Sequence, residues 1–195
     1  MIPEHVILLD PQGNPCGIQD KATVHHQDTP LHLAFSCWIF NPEGELLITR
    51  RARSKRAWPG VWTNSVCGHP QQGETFEQAI VRRCHYETGL TVEEIAPVYP
   101  AFRYRARDTG QIVENEICPV YAALSQMPVQ PRADEVMDWR WISLEEALRE
   151  IDGNPDYFSP WMVSQASHPP ARQQLLQYAQ ALKSNRPAWS RQTGA

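Results

Sequence analysis

Apolar and polar positions along this chain fall into runs that mark out most of its elements. Residues 6–9 form a short apolar run that predicts a strand, stopped by Asp10-Pro11-Gln12-Gly13-Asn14-Pro15, a dense turn signal. Residues 32–40 are rich in apolar and aromatic side chains, and residues 45–49 follow across Asn41-Pro42-Glu43-Gly44, which predicts a hairpin with a four-residue connection. Residues 75–87 carry the best helical pattern: Thr75 with Gln78 makes a capping box, apolar residues fall at Phe76, Ala79, Ile80 and Cys84, and Gly89 stands where a C-terminal cap belongs. Strands are expected over 101–105, 112–122 and 136–142, then a helix from Leu144 to about Ile151. Two more helical stretches lie between Phe158 and Leu182, split by His168-Pro169-Pro170. This order of mostly antiparallel strands with interspersed helices predicts the α+β class, an α/β/α sandwich.

At 195 residues the chain has room for one domain with a real core and a pocket. We take residues 1–182 as that domain and 183–195 as a frayed, flexible tail. A hydrophobic content of 42% with 21% charged residues describes a globular protein. The net charge of −4 with dispersed basic residues speaks against a nucleic-acid partner. The first ten residues lack a basic n-region, and no window approaches a bilayer span, so a cytoplasmic protein without membrane attachment is expected. The five cysteines, Cys16, Cys37, Cys67, Cys84 and Cys118, include no Cys-x-x-Cys pair, so each is read first as a small buried hydrophobe.

Gly68, Glu74, Arg82, Glu87, Gly89 and Leu90 follow the frame G-x5-E-x7-R-E-U-x-E-E-x-G-U, the Nudix box. That box resembles a loop-helix-loop whose glutamates hold a divalent cation such as Mg²⁺ against a diphosphate. Two positions depart from it: Arg83 stands where the first glutamate after the arginine belongs, and Tyr86 replaces the next-to-last one. The loss points to diphosphate binding without diphosphate cleavage. Outside the box, His25, His32, His69, Glu114 and Glu116 are metal-competent, and Glu114 and Glu116 share one face of a predicted strand. Taken singly, each histidine reads as a surface or hydrogen-bonded core residue. Together, imidazole and carboxylate suit Zn²⁺, Mn²⁺ or Fe²⁺. The basic run Arg50 to Arg56 is compatible with a solvated loop, a nucleic-acid patch or a phosphate grip, and Trp161 with a core or interface aromatic.

Thr63-Asn64-Ser65-Val66-Cys67-Gly68-His69-Pro70, preceded by Trp58-Pro59-Gly60-Val61-Trp62 and followed by Tyr104 and Glu114-Asn115-Glu116, resembles the signature of the metal-dependent, Nudix-type (type 1) isopentenyl-diphosphate isomerases, close to bacterial members. The similarity runs from Glu4 to about Leu182. It implies a Nudix-type sandwich with added N- and C-terminal elements that interconverts isopentenyl and dimethylallyl diphosphate by protonation and deprotonation, in isoprenoid biosynthesis. Residue by residue, it implies that Cys67 and Glu116 are the catalytic groups, with Tyr104 assisting. It implies that His25, His32, His69, Glu114 and Glu116 hold one Mn²⁺, Zn²⁺ or Mg²⁺. His25, rather than its neighbour His26, falls in register with Lys21 and His32. It further implies that Glu87 helps hold Mg²⁺ arriving with the substrate, that Lys21, Arg51, Lys55 and Arg83 grip the diphosphate, and that Trp161 faces the hydrocarbon. The partner is thus a small diphosphate, and the protein a monomer or homodimer. A Nudix diphosphate hydrolase and a non-catalytic, metal-stabilised binding module are the rival readings.

Overall fold

The computed structural model describes residues 4–185. In chain order the elements are β1 (His5–Leu9), β2 (Pro15–Asp20), α1 (Lys21–Val24), β3 (His32–Leu33), β4 (Phe35–Phe40), β5 (Glu45–Arg51), β6 (Trp62–Thr63), β7 (Val66–Gly68), α2 (Phe76–Thr88), β8 (Glu93–Tyr99), β9 (Arg103–Arg107), β10 (Val113–Ile117), β11 (Val120–Leu124), β12 (Val136–Ser143), α3 (Leu144–Gly153), α4 (Pro160–Ser167) and α5 (Pro169–Ser184). One sheet has the order β2-β1-β3-β10-β9; the other has β12-β5-β4-β11-β8, with β6 beside β5 and β7 beside β4. Helix α5 carries Lys183 and Ser184, so the expected tail begins inside it, and residues 186–195 lie outside the described residues. Among the described residues no helix is long and apolar enough to cross a membrane.

Two expected strands are each divided. Residues 32–40 break at Ala34 into β3 and β4, and residues 112–122 break at Cys118-Pro119 into β10 and β11. The two breaks have one cause. β3 and β10 run parallel in the first sheet, β4 and β11 run parallel in the second, and the pair crosses between sheets together. At the crossing Ala34 N–H donates to Ile117 O (2.9 Å) and Ser36 N–H to Pro119 O (3.0 Å). Pro119 has no N–H to offer a ladder, which suits it to the break. The hairpin from β4 to β5 also opens early. Gly44, at φ 73°, closes the turn, but β4 and β5 pair directly only at Phe40 and Leu46. Beyond that, β6 and β7 wedge between them, pairing Thr63 with Thr49 and Val66 with Cys37. The segment 62–68 thereby enters the centre of the sheet.

Strand β4 is buried on both faces, and its period of two feeds two cores. Phe35, Cys37 and Ile39 pack with Ala79, Ile80 and Cys84 of α2, whereas Trp38 and Phe40 pack with residues of α3, α4 and α5. The sheet is therefore covered by α2 on one side and by the C-terminal helices on the other, the expected sandwich. All five cysteines are free thiols; Cys37, Cys84 and Cys118 are buried, but Cys16 is exposed on edge strand β2, against the expectation for it. Helix α2 begins with the reciprocal box: Gln78 N–H donates to Thr75 Oγ1 (3.2 Å), and Thr75 N–H to Gln78 Oε1 (2.9 Å). Thr75→Ala is expected to destabilise the protein by about 1 kcal/mol, read as a lower midpoint in denaturant at unchanged slope.

Candidate active site

Adjacent strands carry the first group of candidate site side chains in one registered row. His32 on β3 pairs with Glu116 on β10, and Glu116 pairs in turn with Tyr104 on β9. Registered neighbours share a face of the sheet, so the three side chains meet without any special turn. His32 Nε2 lies 3.2 Å from Glu116 Oε1, and the Tyr104 hydroxyl acts on the same carboxylate. His69, one residue past β7, brings its Nε2 to 3.1 Å from the same Oε1. His25 caps the C-terminal end of α1. Ligand atoms of His25, His32, His69 and Glu116 all lie within 4.8 Å of one another. Glu114 stands just outside that group: it is attached through His25, whose Nε2 lies 3.1 Å from Glu114 Oε2. The structure thus gathers four of the five expected metal ligands, and sets the fifth against one of them. His26 turns away: its ring accepts from Asp28 N–H.

The donor set fits a divalent cation. Ligand atoms about 2.0–2.2 Å from one ion sit roughly 3 Å from each other, the spacing found between the imidazole nitrogens and Glu116. His69 Nδ1 is buried and has no hydrogen-bond partner. Burial, reinforced by the neighbouring His32, Lys21 and His25, holds His69 well below the usual imidazole range, so it stays neutral, the form that ligates. Burial opposes charge on His32 too, but its bond to Glu116 and that carboxylate's charge prevail and raise it. Burial would raise Glu116, yet His32, His25 and the Tyr104 hydroxyl together bring it below the usual carboxylate value.

Cys67, on β7, is held by polar groups whose roles follow from donor-only indoles. Trp38 Nε1–H donates to Gln165 Oε1 (2.8 Å), which leaves Gln165 Nε2–H to donate to Ser36 Oγ (2.9 Å), 3.3 Å from Cys67 Sγ. On the other side Trp161 Nε1–H donates to Asn64 Oδ1 (3.2 Å), and Asn64 Nδ2 lies 3.5 Å from the same sulfur. Burial pushes the Cys67 thiol up to about 12, with Glu116 and Glu87 adding to the effect and the Ser36 and Asn64 contacts working against it. Sequence reasoning missed Ser36, Asn64 and Gln165. Asn64 sits inside the signature string, but Ser36 and Gln165 lie on β4 and α4, and no local pattern links them to Cys67. Beside Cys67, a Cβ on Gly68 would lie 2.8 Å from Arg83 Cγ and 2.9 Å from Phe35 Cζ. Gly68→Ala is accordingly expected to cost about 1–3 kcal/mol, seen as a lowered denaturation midpoint.

A cavity of about 450 Å³ is lined by Cys67, His25, His69, Glu114, Glu116, Tyr104 and Trp161, and also by Lys21, Arg51, Lys55, Arg83 and Glu87. His32 is fully buried beneath it. The basic run divides: Arg51, Lys55 and Arg56 face the cavity, while Arg53 is exposed outside it. Arg51 donates to the carbonyls of Ala57 (2.7 Å) and Trp58 (3.1 Å) and lies 5.3 Å from the Trp161 ring centroid. The box residues pair with one another. Arg82 clamps Glu74 (2.6 and 2.8 Å), closing the loop before α2, and Arg83 Nε donates to Glu87 Oε1 (2.7 Å). The guanidinium groups of Arg83 and Arg132 lie over the Tyr86 ring, 4.8 and 4.4 Å from its centroid.

The sandwich and its box define the class. A model of the NUDIX domain matches residues 30–162, more than half of the chain. Two solved structures share the fold at 20% identity: a Deinococcus radiodurans protein (TM-score 0.58, covering 77% of this chain and 90% of that one) and the MutT protein of Methanosarcina mazei (TM-score 0.57, 76% and 96%). The chain is a Nudix protein. Among curated relatives, the isopentenyl-diphosphate Delta-isomerase of Klebsiella pneumoniae strain 342 is 58% identical over 183 residues, 94% of this chain and 100% of that one. That of Citrobacter koseri is 59% identical over 180 residues, 92% and 99%. Within the Nudix class, the chain belongs to the isopentenyl-diphosphate Delta-isomerase family.

Proposed function

We propose that this protein interconverts isopentenyl diphosphate and dimethylallyl diphosphate, with Cys67 and Glu116 as its two proton-transferring groups. The observation that carries the reading is their place in one cavity with Lys21, Arg51, Lys55 and Arg83. Moving an unactivated double bond requires adding a proton at one carbon and removing one from another, through a tertiary cation that water would trap. Positioned acid–base groups contribute about 10²–10⁴-fold each to such a reaction. The cations orient the diphosphate and so fix the short hydrocarbon between thiol and carboxyl. Trp161 would present an electron-rich ring to that hydrocarbon, and Tyr104, in register with Glu116 in the same cavity, would assist the carboxyl.

His25, His32, His69 and Glu116, with Glu114 as a fifth ligand, would hold Mn²⁺, Zn²⁺ or Mg²⁺, whose charge makes the groups around Glu116 more acidic. Glu87 would share Mg²⁺ arriving with the diphosphate. Hydrolysis is the weaker reading, since Arg83 and Tyr86 stand at two of the box's glutamate positions and leave Glu87 without the neighbouring carboxylates that would gather metals to activate water. The test is proton NMR of isopentenyl diphosphate with metal-loaded protein in D2O. Appearance of the dimethylallyl isomer with deuterium incorporated is expected. Release of phosphate without isomerisation would establish the hydrolase, and metal-dependent stabilisation with no turnover the binding module.

A further inference from the structure

Two carboxylates serve the cationic side of the cavity without belonging to the metal cluster or to the box helix, and they sit differently. Glu135 is largely buried, 14% exposed; it pairs with Lys55 and lies 2.9 Å from Arg83 Nη2. Its backbone is fixed on both sides, donating to Arg132 O (3.1 Å) and accepting from Ala52 N–H (3.0 Å). Glu4 lines the cavity and is 42% exposed. A single atom, Glu4 Oε1, meets both Lys21 Nζ (2.9 Å) and Arg83 Nη1 (3.2 Å). The main chain at Glu4 is held independently of that contact. Its carbonyl accepts from Lys21 N–H (3.0 Å), and the next residue is clasped by the loop before α2: His5 N–H donates to Gln71 Oε1 (3.0 Å) and Gln72 N–H to His5 Nε2 (2.9 Å). The carboxylate can rotate into solvent without moving β1.

We infer that Glu4 is an exchangeable counter-ion, occupying the place of a phosphate oxygen between Lys21 and Arg83 and yielding it when a diphosphate binds, while Glu135 stays and positions Lys55 and Arg83. The inference rests on the assignment of Lys21 and Arg83 to the diphosphate. In the empty cavity a carboxylate between the two cations relieves their mutual repulsion. A diphosphate brings several anionic oxygens to the same cations and repels the carboxylate, so the one displaces the other. Each bound substrate or product therefore carries the cost of breaking Glu4's contacts, which lowers affinity and speeds release. The exposed position of Glu4 and the single shared oxygen distinguish it from the buried Glu135, whose loss would leave Arg83 misplaced.

The opposite signs make the test. Calorimetric titration of full-length, metal-loaded protein with inorganic diphosphate and Mg²⁺ is expected to show about fivefold tighter binding for Glu4→Gln and at least about fivefold weaker binding for Glu135→Gln. Glu4→Ala should follow Glu4→Gln, and the KM for isopentenyl diphosphate should fall with the dissociation constant. Unchanged or weaker diphosphate binding in both Glu4 variants, at parental thermal midpoints, would overturn the inference by making Glu4 a bystander or a retained part of the site. If Glu4→Gln tightens diphosphate but the parent does not isomerise isopentenyl diphosphate, the counter-ion role stands and the isomerase reading falls. A parent that binds no diphosphate defeats the inference itself.

Discussion

Alanine in place of Cys67 is expected to lower isomerase turnover by about 10³-fold while leaving the metal content of the protein unchanged. The sulfur lies in the cavity opposite no ligand role: its contacts are Ser36 and Asn64, and none of the clustered ligand atoms belongs to it. Truncation would remove one of the two proposed proton-transferring groups and leave the imidazoles and Glu116 in place. Turnover by NMR and bound metal by elemental analysis, on the same sample, separate the two effects. Activity above a tenth of the parent would take Cys67 out of the mechanism.

Glu116→Gln should do the same damage to turnover, about 10³-fold, and should also weaken the clustered metal. One carboxylate oxygen faces both His32 Nε2 and His69 Nε2, so replacing it by an amide strips the charge at the point where the ligands converge. Retention of full metal stoichiometry together with activity within tenfold of the parent would contradict the assignment of both roles to Glu116. The pair of variants thus differs in a measurement other than activity: metal is kept in one and lost in the other.

The elements legible in the sequence were those whose causes are local. The capping box at Thr75 and Gln78, the stop at Gly89 and the Pro169-Pro170 break all act within a few residues, and each stands where expected. Edge strand β2 was not legible, because Pro15 and Gly17 interrupt it and no face of it is buried, so no alternation marks it. Strand β8 was hidden in a similar way by Pro97 and by its exposed glutamates. The divided strands failed for a different reason. Residues 32–40 are apolar except at His32 and Ser36, and only the partner strand fixes that Ala34 is a crossing point rather than a strand interior. The candidate site was read from the signature residues and the box, and of the side chains they nominate Cys67, His69, Arg83, Glu87, Tyr104, Glu114, Glu116 and Trp161 line one cavity. Glu4, Glu135, Ser36 and Gln165 were invisible because their partners are set by tertiary packing alone.

The paired crossing of β3–β4 beside β10–β11 also bears on how the site comes into being. It joins segments 84 residues apart in the chain, as His32 and Glu116 show, so a long loop must close before either pairing gains anything. The same closure seats Phe35, Trp38 and Phe40 in the two cores. The site's His32–Glu116 junction and the two cores thus depend on the same long-range closure. Amide exchange at Ala34 and Ser36 should therefore proceed only through global unfolding, at the slowest rate in the molecule.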